Sequence, residues 1–272
     1  MKTTLKITLA SVLLIANSGV ANAQDKRIGE VIVLGRTALK QDVKPEAVQA
    51  SMREIIDAWN KGGSRTSLRL FQADRGKLKG EFLLACVAAK AADRETLPPG
   101  SPFSVKVQSK AGASSQRPSD FLVNLRAYTE YRLIGAEKFK SRPVNGILGI
   151  HKIQVKKERA ADFEKLVTEK LHPAVGQLFP DMQLLYYKAV AGEQAGSYIL
   201  IFNMESVRAR EKYWPTGQDE TEAVKKGFRP HNDLAAELGT YLVEGSFLAP
   251  GGGGDSAAAY WESKEWTDFV GL

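Results

Sequence analysis

Residues 196–217 read GSYILIFNMESVRAREKYWPTG, which predicts a buried strand followed by an amphipathic helix. A weaker version of this stretch, GEFLLACVAAKAADRETLPPGS, lies 116 residues earlier at 80–101. At this offset, seven of the 27 ungapped positions from 73 to 99 are identical, which is more than chance gives. The identical pairs are Ala73/Ala189, Gly76/Gly192, Gly80/Gly196, Leu84/Leu200, Arg94/Arg210, Glu95/Glu211 and Pro99/Pro215. A repeat of this length indicates a duplicated domain.

The remaining patterns give both halves the same order of elements, β-α-β-β-α-β. In the first half we predict strands at 30–39, 67–73, 80–88 and 127–134, with helices at 47–59, 90–97 and 120–126. In the second half we predict strands at 146–155, 182–190, 197–203 and 240–247, with helices at 160–179, 205–213 and 232–238. This order is the split βαβ arrangement of ferredoxin-like domains.

The predicted strands are apolar on both faces. In 82–87, for example, Phe82 and Leu84 alternate with Leu83 and Ala85. A sheet with one face in water alternates apolar and polar residues, so this sheet needs cover on both faces. We expect helices to cover one face of each sheet, and the sheet of the other half to cover its second face. The predicted fold class is therefore α+β, with two tandem ferredoxin-like domains forming an intrachain pseudo-dimeric α/β barrel.

This organisation resembles the dimeric α/β-barrel superfamily, which includes antibiotic-biosynthesis-monooxygenase-like and NIPSNAP-like domains. The resemblance rests on the element order, the pairing of two units and the strand–helix stretch that ends in Tyr213, Trp214 and Pro215. It covers residues 30–247. It implies two sheets face to face, with pockets inside the barrel or between each sheet and its helices. It also implies cofactor-independent oxygenase or isomerase chemistry as one candidate activity.

The first 23 residues have the pattern of a signal peptide. Lys2 and Lys6 precede the apolar run 9–16, and a small-x-small motif ends at Ala23. The apolar run is shorter than the roughly 20 residues that span a bilayer. We expect cleavage after Ala23 and a periplasmic or secreted protein. The predicted divisions are 1–23 signal peptide, 24–140 first domain, 141–248 second domain, and 249–272 a Gly-rich joint with an aromatic tail.

The C-terminal tail is unusually aromatic for a solvated segment. It carries Tyr260, Trp261, Trp266 and Phe269 after the four glycines at 251–254. We predict that the tail docks back on the body, the alternative being a segment that binds a partner protein.

Composition and motif spacing exclude several classes of function. Removing the two lysines of the signal peptide lowers the formal charge from +7 to +5, and basic and acidic residues are interleaved. We therefore expect no nucleic acid partner and no stable membrane insertion. The single Cys86 lies in an apolar run and predicts a buried thiol without a disulfide. The three histidines show no metal-ligand spacing, and no phosphate loop or GxSxG motif occurs, so no metal or cofactor is expected.

Two residues specific to the second half are the candidate catalytic pair. His151 stands in an apolar strand where the first half has Gly35, and it is either a general base or a core histidine held by a hydrogen bond. Asn203 ends a strand where the first half has Val87, and it either steadies an enolate oxygen or caps the next helix.

The candidate ligand-binding residues also favour the second half. Four aromatic residues would line its pocket or belong to the core: Tyr187, Tyr198, Tyr213 and Trp214. Arg36 and Lys152 occupy equivalent strand positions, where they flank an anionic ligand or extend into water as strand-end cations.

Three functions are compatible with these patterns. The first is an exported protein that binds a small hydrophobic or aromatic molecule. The second is a cofactor-independent monooxygenase or isomerase that uses His151 and Asn203. The third is a structural or interaction protein of the cell envelope that uses the aromatic tail. The patterns leave open whether the protein is an enzyme, and they carry no signal for an oligomeric state.

Overall fold

A computed structural model describes residues 29–37, 40, 43, 45–61, 65–76, 78–97, 122, 128–138, 146–215, 220–244, 246, 248 and 266–271. The signal peptide and its cleavage site lie outside these residues and stay predictions. So does the helix predicted at 120–126, apart from Leu122. Within the described ranges, no helix is long and apolar enough to cross a membrane.

The described residues form an α+β fold with eight strands. They are β1 (Val31–Thr37), β2 (Thr66–Gly76), β3 (Phe82–Ala88), β4 (Thr129–Leu133), β5 (Ile147–Ile153), β6 (Met182–Gly192), β7 (Tyr198–Met204) and β8 (Trp266–Gly271). The helices are α1 (Pro45–Lys61), α2 (Ala91–Arg94), α3 (residues 160–175), α4 (Val207–Tyr213), α5 (Glu222–Phe228) and α6 (Asn232–Tyr241). Helix α3 is α-helical over Ala160–Leu166, a π-helix over Val167–Leu171 and α-helical again over His172–Val175. Two 3-10 turns, Lys157–Arg159 and Arg229–His231, precede α3 and α6.

The strands form one closed antiparallel barrel in the order β1-β3-β2-β8-β5-β7-β6-β4. Strands β4, β1, β3 and β2 come from the first half of the chain, and β8, β5, β7 and β6 come from the second. The two sets meet where β2 pairs with β8 and where β4 pairs with β6.

The pairing registers of the two halves are related by the 116-residue offset. Val31 pairs with Ala88 and Ile147 pairs with Met204. Thr66 likewise pairs with Ala88, and Met182 with Met204. The irregularity between residues 73 and 75 of β2 recurs between 189 and 191 of β6.

The tail supplies the eighth strand. β8 pairs with β2 on one side and with β5 on the other, which confirms for residues 266–271 the prediction that the tail docks on the body. Tyr260 and Trp261 lie outside the described residues. The prediction of a last strand at 240–247 is wrong. Thr240 and Tyr241 complete α6, and Leu242 makes only an isolated bridge with Val155. The place beside β5 is taken by β8 instead.

Both faces of the sheet are buried, as the strand composition predicts. One apolar cluster fills the barrel with side chains such as Leu34, Phe71 and Tyr187. A second cluster joins the outer face of the second half to α3 and its neighbouring helices, and a third joins the outer face of the first half to α1. Cys86 is buried in the third cluster and forms no disulfide, as predicted, and burial raises its pKa to about 11.

The repeated arginines Arg94 and Arg210 are both buried and both form ion pairs. Arg94 donates to Glu130 of β4 at 2.9 Å. Arg210 contacts Asp74 at 2.8 Å and Glu211 at 3.0 Å, and Asp74 lies in the first half of the chain. These ion pairs give both arginines a structural role.

Candidate functional site

A groove of about 480 Å³ lies on the outer face of the barrel, between α3 and the seam of β4 with β6. Its walls come from the end of β4 and the following turn, from the middle of α3 and from β6. The lining residues are Arg132, Leu133, Ile134, Gly135, Glu164, Lys165, Thr168, Glu169, Lys188 and Val190. A concave site with a few convergent polar groups is the usual form of a small-molecule site.

The floor of the groove is a row of side chains on three adjacent strands. Arg132 of β4 is directly opposite Lys188 of β6, which is directly opposite Tyr198 of β7. Glu164 of α3 closes over this row, because one of its carboxylate oxygens accepts from Lys188 Nζ at 2.8 Å and from the Tyr198 hydroxyl at 2.6 Å. Burial first, and then the bond to Glu164, raises the pKa of Tyr198, so its phenol stays a proton donor.

The π-helical segment of α3 forms the wall opposite β4. Such segments place side chains differently from an α-helix and are frequent at functional sites. Thr168 in this segment packs against Gly135, where an added Cβ would lie 2.8 Å from the threonine hydroxyl. Gly135 also has a φ of +68°, so both its conformation and the close approach of α3 require glycine there.

The corresponding row on β8, β2 and β3 carries no charged residue. The register places Val270 opposite Gln72 and Gln72 opposite Phe82. These positions are the counterparts of Arg132, Lys188 and Tyr198. The charged floor therefore has no counterpart at the seam of β2 with β8, and it combines Arg132 of the first half with Lys188 and Tyr198 of the second.

His151 lies on the outer face of β5 in an aromatic row, away from this groove. Its ring is 4.8 Å from that of Phe202, which contacts Trp214 at 5.3 Å. Tyr213 continues the row at 6.0 Å from Trp214, and its hydroxyl donates to Asp181. The structure thus brings His151, Tyr213 and Trp214 together as core residues. Burial lowers the pKa of His151 to about 3, which makes it a weak base at neutral pH.

Asn203 is not close to His151. His151 pairs with Leu200 while Asn203 pairs with Leu148, so the two residues are three positions apart along the strands and point to opposite faces of the sheet. Asn203 faces the barrel interior and is buried, at 5% exposure. The hypothesis that both residues act on one substrate is contradicted by this register.

The remaining predicted ligand-binding residues are spread over three regions. Tyr187 lies inside the barrel, where its hydroxyl donates to the carbonyl of Gly29 at 3.0 Å. Arg36 and Lys152 are exposed near the ends of β1 and β5, and Arg36 forms an ion pair with Glu81 at 3.0 Å. Tyr198 hydrogen-bonds Glu164 of the groove lining.

Sequence reasoning missed Arg132, Glu164 and Lys188. Lys188 had a usable signal, because it is the only charged residue in the apolar run 182–190. Arg132 and Glu164 had none, since each lies in an ordinary polar position of its own element. No group of three or more histidine, cysteine or acidic side chains suited to a metal ion occurs among the described residues.

We expect the pH dependence of stability to report the buried His151. In the folded protein its pKa is about 3, against an ordinary value of 6.5, so the unfolded chain binds its proton first. Stability should therefore fall as the pH decreases from about 6.5 towards 3. Replacing His151 by Leu should flatten this dependence by up to about 1.4 kcal/mol per pH unit in urea denaturation. His172, whose pKa burial lowers to about 4, maintains a part of the slope in both proteins. An unchanged slope in the variant would show that His151 is protonated in the folded state.

Comparisons with known proteins give structural likenesses only. No protein-family model matches the chain, and no curated protein matches it. A proposed monooxygenase from Lactobacillus acidophilus NCFM is similar with a TM-score of 0.45 and 10% identity, over 74% of this chain and 87% of that one. An anthrone oxidase-like protein is similar with a TM-score of 0.43 and 12% identity, over 92% of this chain and 93% of that one. A chlorite dismutase variant from Candidatus Nitrospira defluvii is similar with a TM-score of 0.39 and 12% identity, over 67% of this chain and 82% of that one.

These monooxygenase-like and chlorite dismutase structures belong to the dimeric α/β-barrel superfamily. With TM-scores below 0.5, the likenesses carry no argument about what the present chain does.

Proposed function

We propose that this chain is an exported small-molecule-binding protein whose ligand site is the groove between α3 and the β4–β6 seam. The observation that carries the proposal is the groove itself, with Arg132 and Lys188 on its floor and Tyr198 in the next strand beside them. The corresponding row at the seam of β2 with β8 is uncharged, which supports a specialised role for the seam of β4 with β6. Export rests on the signal peptide pattern of residues 1–23.

The proposed architecture is a tandem duplication of a ferredoxin-like unit. The equal strand registers at the 116-residue offset support it, and so does the recurrence of the same irregularity in β2 and β6. In this interpretation β8 is the counterpart of β4, because Asp268 pairs with Gly149 as Glu130 pairs with Val33. The ligand groove then lies at one of the two seams between the halves.

Binding is favoured over the two alternatives. A cofactor-independent monooxygenase that uses His151 as its base has to work with a pKa of about 3 and without Asn203 on the same face. An interaction protein that uses the tail has to do so without residues 266–271, which are paired on both edges within the barrel.

The test uses the mature protein and a variant that fills the groove. Val190 lines the groove and is 41% exposed, whereas Val243 is 39% exposed outside it. We expect small molecules that co-purify with the wild type, identified by mass spectrometry, to be lost with Val190→Trp and retained with the matched control Val243→Trp. Equal retention by both variants would place the ligand elsewhere. The same spectra should give a mature N-terminus at Gln24, and a chain that keeps residues 1–23 would contradict export.

A further inference from the structure

We infer that the groove binds an anion, specifically a small organic acid with one carboxylate and a short apolar part. This inference rests on the proposed function and names the chemical class of its ligand. It is carried by the charges on the floor of the groove and by their arrangement across the strands.

Two cations are directly opposite each other on this floor. Arg132 and Lys188 form a cross-strand pair on the same face of β4 and β6. Side chains in such a pair start about 5 Å apart at Cβ, and like charges at this position destabilise a sheet. Glu164 neutralises Lys188 in this pair, so a bound anion would offset the remaining charge of Arg132.

The protein supplies only one carboxylate to this pair. Glu164 contacts Lys188 at 2.8 Å and also accepts from Tyr198, so it lies at the Lys188 side of the row. Within the described ranges, no ion pair or hydrogen bond engages the exposed guanidinium of Arg132, whose backbone pairs in the sheet. The guanidinium therefore keeps its donors for a ligand, and its planar fork suits the two oxygens of a carboxylate.

The charges of the other lining residues agree with a monoanion. The lining contains the cations Arg132, Lys165 and Lys188 and the carboxylates Glu164 and Glu169, which leaves one positive charge. A ligand with a single negative charge neutralises the groove, whereas a doubly charged ligand reverses its sign.

The apolar part of the ligand has its own surface. Val190 and the buried Ile134 line the same groove, and among the described residues Val190 is one of four large apolar side chains that are exposed. An aliphatic or aromatic group next to the carboxylate would cover this surface. The ligand expected is therefore an amphipathic acid of modest size and not a free inorganic anion.

The experiment compares matched acids and amides on the folded protein. Phenylacetate and hexanoate are titrated against phenylacetamide and hexanamide, at low ionic strength in a zwitterionic buffer. Binding is followed by calorimetry and by backbone NMR shifts at Gly135, Thr168 and Val190. We expect each acid to bind at least about fivefold more tightly than its amide, with the shifts confined to the groove. Raising the salt concentration should reduce this preference.

Two arginine variants then locate the preference. Arg132→Gln should remove the advantage of the acids and leave the amides unchanged, whereas Arg53→Gln, a change of an exposed arginine on α1, should leave both unchanged. Equal affinity for acid and amide in the wild type overturns the inference and leaves the proposed function intact. The same holds if the preference for acids persists in Arg132→Gln. If none of the four probes shifts the groove resonances at millimolar concentration, both the anion site and the binding function are overturned.

Discussion

Deletion of residues 251–272 should lower the melting temperature by at least about 10 °C. The deletion removes β8, which forms five residue pairs with β2 and five with β5. A backbone hydrogen bond contributes about 0.5–1.5 kcal/mol, so the loss amounts to several kcal/mol. In a chain of this size, each kcal/mol corresponds to roughly 2–4 °C.

The deletion also changes the topology of the sheet. Without β8 the barrel opens between β2 and β5, and each of these strands becomes an edge with unpaired backbone groups. Exposed edges pair with other chains, so we expect the truncated protein to associate in size-exclusion chromatography.

A control variant separates the strand from its joint. Replacing the four glycines at 251–254 by Ser-Gly-Ser-Gly keeps the strand and the length of the connection, and should leave the melting temperature within about 2 °C of the wild type. Equal melting temperatures for the wild type and the truncated protein would show that β8 adds little to the closure of the barrel.

The sequence predicted the barrel because its two halves share a pattern at long range. The identities at Gly80/Gly196 and Arg94/Arg210 align strands that the structure then pairs in the same register. The apolar residues on both faces of β3 and β7 predicted that both faces of the sheet are buried, and the structure confirms this. These signals are local or repeated, so they can be read without the tertiary structure.

The last strand could not be assigned in the same way. Residues 240–247 alternate well enough to predict a strand, yet Thr240 and Tyr241 belong to α6, and residues 266–271 fill the position. Which of two short segments occupies an edge depends on the partners that the edge offers, and local propensity does not contain this information.

The sequence predicted a pocket of the second half, whereas the groove lies at the seam of β4 from the first half with β6 from the second. Residue type alone suggested His151 and Asn203, whereas the strand register decides that they point to opposite faces. Tyr198 was found because it is aromatic and specific to the second half. Its partner Glu164 comes from α3, and Arg132 comes from the other half of the chain. Contacts between elements so distant in sequence appear only once the barrel has closed.

Replacing Arg94 by Ala should cost about 3–5 kcal/mol of unfolding free energy, measured by urea denaturation. Arg94 and Glu130 have side chains only 9% and 12% exposed, and they are joined at 2.9 Å. Removing the guanidinium leaves the Glu130 carboxylate buried without its cation, and this penalty exceeds the value of the pair itself.

Two further variants distinguish this cause from a simple loss of packing. Arg65→Ala breaks the exposed ion pair with Asp93, at 3.8 Å, and should cost less than about 1 kcal/mol. The double change Arg94→Met with Glu130→Met removes both charges and keeps most of the buried volume, so it should recover most of the stability lost in Arg94→Ala. If the double variant is no more stable than Arg94→Ala, the unpaired carboxylate is not the source of the loss. The arginine would then act mainly through the packing of its aliphatic stem between α2 and β4.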